Sequence, residues 1–577
     1  MKSWTEDFAA FWKNKFFIVS LALTAVFSYG FMVTHHTVGI DDTPYALYFE
    51  DGLAAIVGRW VMFLINKAAH ISDFAPFLTD FTGVLIFMAG VTVWCVLLKR
   101  IFQDKIPMYG YILFACLFLS NPLISEVYTY YLHNGVAAGY LFCGVSLCFF
   151  LEGCLRFGGK QAGFDGKPFL LWLGSALCLW VAMGCYESFM IVYLVGVCIV
   201  LCSLRMKRGR GRREAFKIRE GETREASVRV IPALCAAALI AVAGILLRSV
   251  MILLVTRVFG LESLRDEAVQ RSLTEMAGWL FKEGALSELG MILKRVFVMY
   301  GVFGYAYYPI KIYVAACICV LLVSLWRTIK CRDPWILVLA IGSITASYLL
   351  VFVEGKATLY RSAQFLPLFC AWGLLLAVFA VGRAAEWMKG KKSLGKLGLI
   401  HLLTAAVLAV VVWNQCTDMN KWFYVDYLKY EDAKNTTNQI AYELEKHFDT
   451  SKPVVFTGTY SIPKSIIGDA YVDYGSETYY KMLRLTSLVD EHLLEKFNRD
   501  YGVWVAQTPS LSVLDWGRYA FDNDEELVRF FSMHGHELKP LLDEEEYGKA
   551  EEYSLNLPSF PEEGAIVDMG EYIIVHF

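Results

Sequence analysis

Residues Phe16–Thr34 read FFIVSLALTAVFSYGFMVT, and the loop His35–Pro44, which reads HHTVGIDDTP, follows directly. A membrane-spanning helix needs about 20 predominantly apolar residues, and the first stretch has that length without a charged side chain. Two lysines precede it and no small-residue cleavage site is evident, so we predict a retained helix rather than a removed signal peptide. Asp41 and Asp42 then stand just outside the membrane, where ionisable groups are costly and are functional candidates.

The rest of the chain continues this apolar pattern. Of its 577 residues, 56% are hydrophobic and only 19% are charged, and the mean hydropathy is +0.45. Soluble domains carry about 25% charged residues, so the composition predicts a polytopic α-helical membrane protein. The net charge of -3 does not indicate a nucleic-acid partner. The fifteen cysteines form no Cys-x-x-Cys pair and lie mostly in apolar runs, which is typical of small membrane-core residues.

Hydropathy predicts about 11 transmembrane helices. They are Phe16–Thr34, Phe74–Leu98, Met108–Ile124, Gly135–Leu151, Phe169–Tyr186, Phe189–Leu204, Val230–Val255, Ile310–Trp326, Trp335–Val353, Phe365–Val381 and Leu397–Cys416. The segment Arg205–Arg229 is strongly basic, and we predict a disordered cytoplasmic loop that attracts anionic lipid head groups. An odd number of spans places the N-terminus in the cytoplasm and the C-terminus outside, with every basic cluster on the cytoplasmic side.

Residues 1–416 are therefore predicted to form a transmembrane domain, with interfacial amphipathic helices near 44–66 and 261–308. A membrane crossing at 291–308 would reverse the topology of everything after it. Beyond residue 416 charged residues become common, and 417–577 are predicted to form a small extracytoplasmic α/β domain. Its predicted elements are helices at Tyr430–Phe448 and Glu525–His534 and strands at Pro453–Gly458, Ala565–Val567 and Tyr572–Val575.

This topology brings polar side chains from distant loops to one membrane face. They are Asp41, Asp42, Arg59, Glu126, Tyr128, His133, Glu187, Glu354, Lys356 and Arg361. Carboxylates and cations together at a bilayer surface suit a substrate with a phosphate and a sugar. Sugar transfer from a lipid phosphate needs a carboxylate that takes the proton of the acceptor hydroxyl and positive charge that stabilises the departing phosphate.

These requirements predict roles for five residues. Asp41 or Asp42 is the expected base, and their adjacency leaves open which one. Glu187 lies between two tightly connected spans and is a further catalytic candidate. Arg59 and Arg361 are expected to hold the donor phosphate, because a guanidinium suits bidentate phosphate contacts.

The same residues also fit purely structural roles. The aspartates also fit a helix cap or a solvated loop, and each arginine also fits an anchor at the head groups. A divalent cation held by the two aspartates and the phosphate stays open, whereas His35, His36 and His133 do not predict a metal site. Four further candidates have no assigned role: Glu126, Tyr128, His133 and Lys356.

Several short motifs share one order along the chain. They are His35–Asp42 after the first span, Gly58-Arg59-Trp60, Tyr360-Arg361-Ser362, Asn420-Lys421-Trp422, Asp426, Tyr430, Asp432 and Lys452–Gly458. In these motifs the chain resembles the type II serotype-converting O-antigen glucosyltransferase (Gtr) family, from about residue 15 to residue 480. The resemblance implies a GT-C-type architecture and an essential acidic residue in the first external loop, which here falls on Asp41 or Asp42.

The resemblance also implies transfer of glucose, or another hexose, from a polyprenyl-phosphate donor to a surface glycan outside the cytoplasmic membrane. The expected partners are that donor, a glycan acceptor and membrane lipid, and the sequence requires no cofactor. The alternatives are a transporter or flippase of a lipid-linked glycan and a membrane scaffold. Transporters often contain internal repeats and broken helices, whereas this sequence has no evident repeat and its charges cluster at one face.

Overall fold

The structure is a computed structural model. It describes residues 2–39, 42, 52–69, 75–130, 133–157, 166–207, 215–219, 222–225, 228–261, 278–303, 311–355, 360–388, 394–460, 481–482, 484–485, 488, 492, 494–497, 513–516 and 524–577. Most of these residues are helical, because the apolar runs satisfy their backbone hydrogen bonds within the segment, as a membrane requires.

Seventeen of the described helices precede the C-terminal sheet. They are α1 (Lys2–Lys13), α2 (Lys15–Thr34), α3 (Gly52–Ile56), α4 (Trp60–Ala69), α5 (Pro76–Phe102), α6 (Met108–Leu119), α7 (Leu123–Tyr128), α8 (His133–Phe157), α9 (Lys167–Cys185), α10 (Phe189–Lys207), α11 (Val230–Val258), α12 (Ala285–Val298), α13 (Lys311–Cys331), α14 (Trp335–Ala346), α15 (Leu349–Glu354), α16 (Phe365–Met388) and α17 (Leu394–His447). Short 3-10 turns lie at Gln103–Lys105, Gly278–Phe281 and Tyr360–Ser362, and a π-helical turn lies at Met299–Phe303.

The membrane-spanning character of these helices agrees with the hydropathy of the sequence. Among the described residues, nine helices are long and apolar enough to cross a bilayer, and two shorter apolar helices, α6 and α14, accompany them. Many of their large apolar side chains are exposed, which is what a lipid-facing surface requires. A multi-pass membrane protein is therefore confirmed, whereas the number of eleven spans and the orientation stay predictions.

Buried tryptophans and close backbone approaches hold the bundle together. Trp94 and Trp372 are fully buried, and their indole N–H groups donate to Tyr140 O and Ser203 Oγ, both at 3.0 Å. A Cβ on Gly373 would lie 2.9 Å from the Cα of Ala316, so α16 and α13 pack with their backbones in near contact. Such satisfied donors and close packing are typical of membrane helix interfaces.

Two predicted segments differ in the structure. The third predicted span ends early, because α6 stops at Leu119 and α7 begins only at Leu123. Pro122 explains the break, since a proline lacks an N–H and disfavours helical backbone at the residue before it. The predicted disordered basic loop contains an antiparallel hairpin of β1 (Ala215–Arg219) and β2 (Glu222–Glu225).

Helix α17 joins the membrane bundle to the C-terminal sheet. Its 54 residues correspond to about 81 Å, far more than the roughly 30 Å of a bilayer core. The separate helix predicted at Tyr430–Phe448 is therefore the last part of α17, because no proline or glycine after Gly398 interrupts it. The predicted division at residue 416 falls inside this continuous helix and stays a prediction.

The C-terminal sheet has four described strands in the order β4-β3-β6-β5. The elements are β3 (Pro453–Thr457), α18 (Val513–Trp516), α19 (Glu525–Met533), β4 (Lys539–Pro540), α20 (Glu544–Ser554), β5 (Ile566–Asp568) and β6 (Ile573–His576). Strand β3 is parallel to β4 and β6, and β5 is antiparallel to β6. Val454 and Phe456 pack on α17 and α19, whereas Val455 faces α20. The predicted small α/β fold is present, and α20 and β4 were not predicted.

Candidate active site

The loop after α2 closes on itself at Asp42. This side chain is buried, with 1% of its surface exposed. The Gly39 N–H donates to Asp42 Oδ2 at 3.2 Å, and the Asp42 N–H donates to Gly39 O at 3.0 Å. Such a carboxylate-to-backbone bond is the usual way an aspartate stabilises a turn. Asp41, between these residues in sequence, lies outside the described residues.

Two side chains attach the same loop to the helix bundle. The Thr37 hydroxyl donates to Asp426 Oδ2 of α17 at 2.8 Å. His36 Nδ1 lies 3.7 Å from Asp80 Oδ2 of α5, an ion pair when the imidazole is protonated. Asp80 is only 2% exposed, and a carboxylate this deeply buried needs partners of this kind. The loop therefore has anchor points on two helices that are far apart in sequence.

The anchors surround a small polar cavity. Its lining consists of Met32, His35, His36, Thr37, Asp80, Tyr128, Thr129, Tyr130, Phe423 and Asp426. Tyr128, a sequence candidate, is buried here and its hydroxyl donates to Gly83 O at 3.3 Å, so it also links α7 to α5. A larger apolar cavity of about 420 Å³ lies near α1 at the other end of the bundle and is not lined by any sequence candidate.

Arg59, just before α4, and Glu187, between α9 and α10, form an ion pair. Arg59 Nη2 lies 3.5 Å from Glu187 Oε1, and its guanidinium carbon is 4.2 Å from the ring centre of Tyr186. Burial lowers the pKa of Arg59, but Tyr186 and Glu187 raise this pKa by more, so the guanidinium stays charged. Glu187 keeps 44% of its side chain exposed.

Arg361 extends the cluster from the 3-10 turn before α16. Its guanidinium carbon lies 4.8 Å from the ring centre of Tyr130, which also lines the polar cavity. Arg361 is close enough to Arg59 and Tyr186 to act on both electrostatically, and Glu126 of α7 acts on Tyr186 in the same way. Four sequence candidates, Arg59, Glu126, Glu187 and Arg361, are thus brought together around one tyrosine.

Other candidates are not placed by the structure. Lys356 lies outside the described residues, and the side chains of His133 and Glu354 are not described. Within the part of the chain that is described, no three histidine, cysteine, aspartate or glutamate side chains form a group able to hold a metal ion. The predicted alternative of a cation held by Asp41 and Asp42 stays open, because Asp41 is outside this part.

Sequence reasoning missed two ionisable residues that belong to the site region. Asp80 anchors the loop through His36, and Arg248 of α11 faces Glu187 and Arg59. Both stand alone inside predicted membrane spans, and an isolated charge in such a span is itself a signal of function. Both charges are visible in the sequence, but the predicted topology assigns function only to residues in the loops.

The helices and this charged cluster define a class, namely multi-pass membrane proteins with a polar site at one end of the bundle. The sequence model of the family described as Glucosyl transferase GtrII matches residues 30–379, which is more than half of the chain. The chain therefore belongs to the GtrII glucosyl transferase family and is a membrane glucosyltransferase. No curated protein sequence matches it.

The family match confirms the resemblance that the sequence motifs suggested. It includes the candidates from Asp41 to Arg361, together with Asp80 and Arg248. It ends before α17, so the resemblance of the motifs from Asn420 to Gly458 stays a prediction.

Proposed function

We propose that the protein transfers glucose, or another hexose, from a polyprenyl-phosphate donor to a cell-surface glycan on the outer side of the cytoplasmic membrane. The observation that carries this proposal is the cluster of Arg59, Glu187 and Arg361 at the ends of apolar helices. A lipid-linked phosphate reaches such a place while its tail stays in the bilayer. Guanidinium groups are the side chains best suited to hold that phosphate.

The reaction needs little beyond positioning, proton removal and charge stabilisation. A carboxylate takes the proton of the acceptor hydroxyl, and the oxygen attacks the anomeric carbon from the face opposite the phosphate. The bond from carbon to phosphate oxygen breaks, and polyprenyl phosphate leaves with the electron pair. Arg59 and Arg361 stabilise the charge that develops on this leaving group. The configuration at the anomeric carbon is inverted.

We assign the proton removal to Asp41 rather than to Asp42 or Glu187. Asp42 is buried and accepts the Gly39 N–H, which supports a role in shaping the turn. Glu187 is paired with Arg59, which supports a role in orienting that guanidinium. Asp41 is then the remaining acid of the first loop.

We also propose the orientation of the protein in the cytoplasmic membrane. The nine long apolar helices and two shorter ones found among the described residues support eleven crossings. The basic segment around Arg205–Arg229 supports a cytoplasmic location for that end of the bundle, because cytoplasmic loops carry an excess of lysine and arginine. The first loop, the arginine cluster and the C-terminal domain then lie outside.

The experiment is glucose transfer in isolated membranes supplied with polyprenyl-phosphate glucose and the cell's own surface glycan. We expect Asp41→Asn to lower the initial rate by about 10²–10⁴-fold, the usual contribution of a general base. Asp42→Asn should lower it less and reduce the protein's thermal stability. Asp104→Asn, an exposed residue at the opposite end of the bundle, serves as the control for an unrelated carboxylate.

Two outcomes would contradict the assignment. Near-normal transfer by Asp41→Asn would remove Asp41 from the chemistry and make Glu187 the next candidate. Movement of the intact donor across the membrane by the wild-type protein, without a new glycosidic bond to any surface glycan, would instead favour the alternative of a transporter or flippase. Quantities of inserted protein must be matched among the variants in both measurements.

A further inference from the structure

One arginine lies well inside a membrane-spanning helix. Arg248 is 10 positions before Val258, the last residue of α11, which corresponds to about 15 Å along the helix. A charge at such a position is costly and usually faces a functional cavity or a partner. Ile245, three positions before it and on the same side of the helix, is 37% exposed, whereas Ile252 and Val255 on that side are buried. Arg248 therefore lies at a boundary between the bilayer and the polar site.

Gly58 leaves the space that the Arg248 guanidinium occupies. Gly58 has a φ of +88°, a backbone conformation that other residues rarely adopt. A Cβ at this position would lie 2.7 Å from the guanidinium carbon of Arg248 and would clash with its Nη2 as well. Arg248 Nη2 donates to Val57 O at 3.2 Å. The turn that carries Arg59 is thus shaped around Arg248.

The charges around Arg248 leave capacity for an anion. It faces Glu187 and Arg59, and Arg59 in turn faces Arg361. Among the described residues, the Nε atoms of Arg248 and Arg59 are buried and have no hydrogen-bond partner. Buried donors without acceptors are costly, and like charges at close range repel. A ligand with several acceptor oxygens and a negative charge would relieve both costs.

We propose that Arg248 binds the phosphodiester of the lipid-linked donor from the bilayer side, opposite Arg59, with the donor's isoprenoid tail lying along the exposed apolar face of α11. This deepens the proposed function and rests on it for the identity of the lipid. The geometry explains why the arginine is on a spanning helix: the phosphate reaches Arg248 while the tail stays in the membrane beside Ile245.

The test measures lipid binding and transfer separately on the full-length protein in nanodiscs. We expect Arg248→Gln to weaken binding of polyprenyl phosphate by about 10-fold to 100-fold, the usual effect of a lost charge-assisted hydrogen bond. The KM for polyprenyl-phosphate glucose should rise by a similar factor. Arg248→Lys should recover part of the affinity, because it keeps the charge and loses the planar fork. Arg257→Gln, an exposed arginine on the same helix, should bind as the wild type does.

Gly58→Ala tests the same contact without removing the arginine. The added Cβ displaces the guanidinium, so this variant should also bind polyprenyl phosphate more weakly. If Arg248→Gln fails to insert, wild-type affinity in Gly58→Ala alone overturns the proposal. The proposal is overturned if Arg248→Gln and Gly58→Ala both bind polyprenyl phosphate with wild-type affinity, because Arg248 would then serve only Val57 O.

Competition with phosphatidylglycerol separates the two possible sources of a lipid phosphate. If Arg248→Gln loses polyprenyl phosphate and retains the wild-type affinity for phosphatidylglycerol, the site belongs to the donor. If it loses only phosphatidylglycerol, Arg248 is a head-group anchor and the proposal is wrong. Wild-type protein that binds polyprenyl phosphate through Arg248 but transfers neither glucose nor another hexose to a surface glycan would contradict the proposed function and leave the binding site unaffected.

Discussion

The hydrogen bond from Thr37 to Asp426 allows a quantitative test of how the first loop is held. Thr37→Val keeps the shape of the side chain and removes the hydroxyl that donates to Asp426 Oδ2 at 2.8 Å. Hydrogen bonds to charged groups contribute about 1.5–3 kcal/mol, and Asp426 is too buried for water to replace the donor fully. We therefore expect the free energy of local loop opening to fall by up to that amount. The contact of His36 with Asp80 remains and makes the figure an upper limit.

Hydrogen–deuterium exchange measures this opening directly. The amides of Gly39 and Asp42 are the probes, because both are hydrogen-bonded within the loop turn. A loss of 1.4 kcal/mol corresponds to tenfold faster exchange, so about 1.5–3 kcal/mol predicts exchange that is roughly 10-fold to 100-fold faster. In a double-mutant cycle, adding Thr37→Val to Asp426→Ala should accelerate exchange little further, because the partner is already absent.

Unchanged exchange of the loop in Thr37→Val, or an effect that simply adds to that of Asp426→Ala, would show that this hydrogen bond does not hold the loop. Thr34→Val provides the control, because the Thr34 hydroxyl is bonded to Gly30 O and Phe31 O of its own helix and to Nδ1 of the adjacent His35, and not to α17. This control should change exchange at the end of α2 only. Transfer activity should follow the exchange data, with Thr37→Val lowering the rate more than Thr34→Val does.

Two further predictions concern stability. Gly373→Ala should destabilise the protein by about 1–3 kcal/mol, because its Cβ would lie 2.9 Å from Ala316 Cα. At Gly342 the nearest atom would lie 3.4 Å from an added Cβ, so Gly342→Ala should have little effect. Thermal inactivation in detergent compares the two variants, and equal inactivation would contradict the close packing at Gly373. Burial lowers the pKa of His534, so the C-terminal domain should lose stability as pH falls from about 6.5 towards that lower pKa and no further below it. His534→Gln should flatten this dependence in melts at several pH values, and an unchanged slope would assign it to other groups.

The membrane bundle was largely predictable because the bilayer fixes both the length and the composition of its helices. The predicted span Phe16–Thr34 corresponds to α2 at Lys15–Thr34, and Phe189–Leu204 corresponds to α10 at Phe189–Lys207. Errors arose where hydropathy carries no information about local geometry. Pro122 ended α6 inside an apolar run, and α17 continued as a helix although its composition changed from apolar to charged.

The site was predictable only as a set of residues at one face. Topology alone brought Arg59, Glu187 and Arg361 to the same end of the bundle, and the structure places them around Tyr186. Which side chains pair with each other could not be predicted from the sequence, because the partners are separated by more than a hundred residues. Asp80 and Arg248 were missed for a different reason: each is a single charge within an apolar run, and a hydropathy average conceals it.

The position of the first loop depends on a helix that also carries the C-terminal domain. Asp426, which holds Thr37, precedes Ala433 on α17 by seven positions, or about 10 Å. Ala433 already belongs to the core of the C-terminal domain, where α17 packs against β3 and β6. Because the helix is unbroken between these two residues, the domain cannot tilt without moving Asp426. The loop that carries Asp41 is thus attached to α5 through Asp80 and to α17 through Asp426. Because α17 also forms part of the C-terminal domain, a movement of that domain is transmitted to the loop of the proposed base through the hydrogen bond from Thr37 to Asp426.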